Sequence, residues 1–121
     1  MPKIRVCAGV FGASLLALTQ PSTAHHSFAM FDQARTYELK GVTVTQFQWV
    51  NPHVYVVIKG DETSYTLECG SPSNMSKSGW KFNSLKPGDK INVVFYPLRN
   101  GKAGGALKIA TLPDGKKLGA W

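Results

Sequence analysis

Sulfur is scarce in this chain. Its 121 residues include two cysteines, Cys7 and Cys69, and no Cys-x-x-Cys pair. Cys7 falls in a segment that reads as removable, so Cys69 stands as a lone thiol and no intrachain disulfide framework can form. Acidic residues are also few, 7 against 14 Lys and Arg, for a formal charge of +7. The lysines are scattered, without the clustered basic stripe and exposed aromatics that nucleic-acid binding needs. The charge reads as a solvated surface. No Gly-x-Ser-x-Gly, haem motif or Ser-His-Asp constellation occurs, and Gly101–Gly105 (GKAGG) lacks phosphate-loop spacing. It reads as a flexible hairpin. Asp32 and Glu68 are single carboxylates with no evident acid/base partner. These absences point away from an enzyme and toward a binding protein.

The N-terminus carries an export pattern. Lys3 and Arg5 precede an apolar stretch, Val6 to Leu18, and Pro21 and Ser22-Thr23-Ala24 follow it. A short basic region, an apolar core and small residues at −3 and −1 match a secretory signal peptide. The apolar stretch is shorter than the roughly 20 residues that span a bilayer. Residues 1–24 are therefore expected to be a signal peptide, residues 25–36 an N-terminal arm, and residues 37–121 a single small domain. The expected location is the periplasm or the medium. No integral membrane segment would survive cleavage, and the mature charge would be about +5.

Periodicity predicts an all-β domain. The stretch Thr36–Val50 is rich in Val, Thr and aromatics. Val42 and Val44 share one face while Phe47 and Trp49 share the other, so the strand must bend or bulge between them. Strands are also predicted at Val54–Gly60, Ser64–Gly70, Lys90–Leu98 and Ala106–Leu112, with a last short strand after Pro113-Asp114-Gly115. Ser71-Pro72 reads as an N-cap followed by Pro at the first helical position, opening a short helix that ends at Gly79. The order β-β-β-α-β-β with a bent first strand predicts a small five-stranded OB-fold-like barrel. An open sheet or sandwich of the same strands is the alternative.

The chemistry concentrates in three histidines, His25, His26 and His53. After cleavage His25 would carry the free α-amine. An amine and imidazoles around one ion suit Cu(II) best among divalent metals. Cleavage one residue earlier would leave Ala24-His25-His26, also a strong Cu(II) chelate. If the arm folds back over the barrel, His25 can meet His53, which follows Asn51-Pro52. Copper is thus the expected cofactor and His25, His26 and His53 the expected metal residues. Trp49, Tyr55 and Trp80 are the expected walls of a ligand site. Two alternatives stay open. Taken alone, His53 is more commonly a loop or cap histidine bonded to backbone, and the barrel can be a metal-free module that uses its aromatics to bind a small molecule, a glycan or a protein. Cys69, Met75 and Met30 are soft donors, with Cys69 and Met75 reading as core.

Several short motifs occur in order: His25-His26-Ser27-Phe28, Phe47-Gln48-Trp49-x-Asn51-Pro52-His53, Gly70-Ser71-Pro72-Ser73, Gly79-Trp80-Lys81 and Leu85-Lys86-Pro87-Gly88-Asp89. In these the chain resembles a family of small exported bacterial proteins classed as a domain of unknown function. The resemblance covers almost all of the mature chain. It implies an exported protein of Gram-negative bacteria and supplies no activity. It also implies that the His-His start and the Asn-Pro-His motif belong together, which groups His25, His26 and His53.

Overall fold

A computed structural model describes residues 28–121. The signal-peptide reading of residues 1–24, and His25 and His26, lie outside the described residues.

A short 3-10 turn at Phe28–Met30 leads into β1 (Tyr37–Gln48), β2 (Tyr55–Gly60), β3 (Thr63–Glu68), α1 (Pro72–Lys77), β4 (Lys90–Pro97), β5 (Gly104–Thr111) and β6 (Lys117–Gly119). The sheet runs β3-β2-β1-β4-β5-β6, and a parallel pairing of β3 with β5 closes the first five strands into a barrel. That is the expected barrel with one short helix, and the open sheet is set aside.

β1 is long enough to serve two neighbours, pairing with β2 near one end and β4 near the other. The register slips between Val44 and Gln46 against β2. This is the bulge that the alternation required. Val42 and Val44 are buried before it, and Phe47 and Trp49 pack onto the same core after it. A second irregularity between Leu39 and Val42 coincides with Gly41 at φ +63°. That conformation is one only glycine adopts freely.

The core combines aliphatic side chains of the strands with the rings of Phe95 and Trp80. Val56 and Ile58 come from β2, Leu67 from β3, Ile91, Val93 and Phe95 from β4, and Leu107 and Ala110 from β5. The helix contributes Met75. Its start is set as expected: Ser71 caps it by accepting a hydrogen bond from the Asn74 amide at 3.1 Å, with Pro72 in the first turn. Beyond β3, the Val54 amide donates to the Gly70 carbonyl and the Cys69 amide to the Val54 carbonyl. The Gly70 amide turns to the Ala120 carbonyl at 2.7 Å. This turn ends the third strand two residues before Gly70. Among the described residues, no helix is long and apolar enough to cross a membrane.

The Gly101–Gly105 segment departs from its expected character. Gly104 and Gly105 are buried and open β5 instead of lying in a flexible loop. They stand opposite Thr66 and Leu67 in the parallel pairing. A Cβ at 105 would lie 2.1 Å from the Tyr96 carbonyl oxygen and 2.7 Å from Phe95 Cδ2. A Cβ at 104 would lie 2.7 Å from the Thr66 carbonyl oxygen. Close approach of backbones, not flexibility, is why glycine stands here. Gly105→Ala is accordingly expected to destabilise the fold by about 3 kcal/mol. The melting temperature should fall by roughly 10 °C or more. Gly119→Ala, whose added Cβ would lie 4.0 Å from the Lys108 carbonyl oxygen, is the control. Equal melting temperatures for the two variants would refute the close-approach account.

Candidate functional site

The hairpin loop Asp61-Glu62 sets the register of β2 against β3, and counting outward from it pairs Tyr55 with Glu68. Val56 and Leu67, one step inward, are buried in the core, so Tyr55 and Glu68 take the opposite, outer face. His53, two residues before Tyr55, stands at the same end. Three elements thus converge on a patch of barrel wall: the start of β2, the end of β3 and the described part of the arm.

The arm is held there by backbone bonds. The Asp32 amide donates to the Pro97 carbonyl at 2.8 Å, and the Arg99 amide donates to the Met30 carbonyl at 3.0 Å. Arg99 Nε donates to the Ala29 carbonyl at 2.9 Å. Phe31 is buried and bridges to Leu98. The Phe28 ring meets Phe31 edge-on at 5.3 Å and Trp121 at 4.9 Å. Trp121 in turn lies 5.8 Å from the His53 ring, and its Nε1 donates to the Leu107 carbonyl at 2.6 Å. Trp121 therefore stands between the arm and His53, anchored to β5. A shallow pocket of about 200 Å³ lies under the arm, lined by Met30, Phe31, Tyr55, Glu68 and Leu98 among others.

The imidazole of His53 is oriented by the backbone. Its Nδ1 lies 2.8 Å from the Cys69 carbonyl oxygen. A carbonyl only accepts, so Nδ1 carries the proton of that bond, and in the neutral ring the lone pair is on Nε2. That atom lies 3.7 Å from Glu68 Oε1. Glu68 is 7% exposed, and Oε1 has no hydrogen-bond partner among the described residues. Burial raises the pKa of Tyr55, and the charge and hydrogen bonding of Glu68 raise it further. The carboxylate thus faces a phenol on one side and an imidazole on the other.

Of the other expected residues, Trp80 lies away from the patch, in the core. It is 1% exposed, packs against Phe47 at 5.9 Å and donates from Nε1 to the Gly119 carbonyl at 2.7 Å. An indole so enclosed is part of the core. Trp49 is half-buried with its ring edge toward Phe47 at 5.8 Å. Tyr55 is the one expected aromatic that belongs to the patch. Trp121, which no sequence pattern marks as a site residue, is the ring beside His53. Glu68 was legible only by counting register from the hairpin loop. Among the described residues, no three of His, Cys, Asp and Glu cluster to form a complete metal site.

Cys69 is buried in the core, and both burial and the neighbouring Glu68 charge push its thiol well above the ordinary range. What it contributes to the patch is its carbonyl. In a chain beginning at His25, Cys69 is expected to resist a thiol reagent at pH 8 while the denatured chain reacts fully. Raising the pH to 9 should add little, because the folded thiol ionises only under stronger alkali. Rapid labelling of the native protein at pH 8 would show the thiol to be reachable.

A family model described as Family of unknown function (DUF6152) matches residues 13–108. No match is found among curated proteins, and none among solved structures.

Proposed function

The chain belongs to the family of unknown function DUF6152, and we propose that its member here is an exported copper-binding protein that holds the ion between His53 and the histidine-bearing N-terminus. The observation that carries this reading is the orientation of His53. A metal-binding histidine characteristically donates its other ring N–H to a carbonyl or carboxylate, which fixes the tautomer and aims the lone pair. The Nδ1 bond to the Cys69 carbonyl is of that kind.

Reach supports the grouping. His25 precedes Phe28 by three residues, a span of about 10 Å when extended. Phe28 touches Trp121, and Trp121 touches His53. A chain starting at His25 would therefore bring an amine and an imidazole within range of His53, with His26 beside them. Nitrogen donors of these two kinds favour Cu(II) over other divalent first-row ions. The protein would carry, buffer or sense the ion, without turning over a substrate.

Cu(II) titration tests this on a chain beginning at His25, alongside one with a single Gly added in front. One tight equivalent per chain is expected. Both the added Gly and His53→Ala should weaken it by more than the roughly 10–100-fold that loss of a supporting group costs. Electron paramagnetic resonance should report nitrogen ligands. Equal and weak binding by all three proteins would refute the proposal and leave the pocket under the arm as a site for an organic ligand.

A further inference from the structure

We infer that Glu68 is a ligand to the same ion, contributing a carboxylate oxygen beside His53 Nε2. This rests on the copper reading above and adds a residue to it. Buried carboxylate oxygens are ordinarily hydrogen-bonded, because leaving one unpaired away from water is costly. Glu68 Oε1 is buried and has no such partner among the described residues. Its separation from His53 Nε2, 3.7 Å, is too long for a hydrogen bond. It is within the span of about 4.2 Å open to two donors that each sit about 2.1 Å from one first-row ion. The orphaned oxygen and the backbone-aimed imidazole are therefore spaced as ligands are.

Two further features fit this role. Tyr55 stands directly across from Glu68 in the strand register, and its hydroxyl interacts with the carboxylate. That contact would hold the carboxylate in place. The sulfur atoms of Cys69 and Met75, in contrast, are enclosed in the core. The donor set near His53 is thus nitrogen and oxygen, which selects Cu(II) over Cu(I). A carboxylate also offsets one of the two charges of that ion, which eases its entry into a partly buried site.

The test compares Glu68→Gln with the unaltered chain beginning at His25, reading Cu(II) affinity, the electron paramagnetic resonance spectrum and the melting temperature of the metal-free protein. Gln keeps the shape and an acceptor for Tyr55. Expected are a loss of Cu(II) affinity of roughly 10-fold or more, a changed spectrum, and a metal-free melting temperature that is unchanged or higher. The last is what replacing a carboxyl group that has one unsatisfied buried oxygen does, and a merely structural residue would not show it. Unchanged affinity and spectrum in Glu68→Gln would overturn the ligand role while leaving copper binding intact. So would a variant whose metal-free form is markedly less stable than the unaltered protein. Tyr55→Phe gives a second check, with a smaller loss of affinity expected in a folded protein; equal affinity in both this variant and Glu68→Gln would also overturn the role. If the unaltered chain takes up no copper, or His53→Ala binds it equally well, both this inference and the copper reading fall.

Discussion

Closing the barrel requires β3 and β5 to run side by side, and at Gly104 the Thr66 carbonyl of β3 comes closer than a side chain would allow. That single approach places Glu68 beside Ala106. It also carries the β4–β5 turn to the edge where the arm bonds to Pro97 and Arg99. Leu107, whose carbonyl holds the Trp121 indole, lies on the same strand. Gly104 leaves room for the β3 backbone, and the wall formed by that pairing carries Glu68. The candidate site is a consequence of closure.

The site contains a conflict that the rest of the fold lacks. Elsewhere the described polar groups are satisfied in ordinary ways: Ser71 caps α1, the Trp80 indole meets a carbonyl, and Asp89 accepts from the Lys86 amide. Only Glu68 Oε1 is a buried side-chain polar atom without a hydrogen bond among the described residues. Sequences tend to be consistent across levels except where function demands otherwise. The exception here lies at the atom nearest the aimed nitrogen of His53. A backbone carbonyl orients the imidazole, Glu68 lies beside it, and Trp121 stands between them and the arm.

Much of the architecture was legible because it follows from local rules. The mismatch of faces between Val42/Val44 and Phe47/Trp49 required a bulge, and the register slips between Val44 and Gln46. Ser71-Pro72 announced the helix, and the two-residue Asp61-Glu62 loop set the β2–β3 register. The candidate site was only partly legible. His53 was singled out by residue type, but its anchor is a carbonyl, which any residue at 69 would supply. Trp80 looked like a binding aromatic because sequence does not show that Phe47 and Gly119 enclose it. Gly104 and Gly105 looked flexible because their crowding comes from Tyr96, Phe95 and Thr66, none of which is their chain neighbour.

The amino-acid sequence by itself determined the strands, the bend in the first, the helix cap and the all-β class, because each depends on side-chain alternation or on turn chemistry within a few residues. It also limits the histidines to three, His25, His26 and His53. Tertiary structure alone decided that Glu68 is buried, that Trp121 stands between the arm and His53, and that the sulfur of Cys69 faces the core. Those outcomes depend on contacts between segments far apart in the chain. Exposure, hydrogen-bond satisfaction and donor spacing are properties of the closed barrel, and no short stretch of sequence carries them.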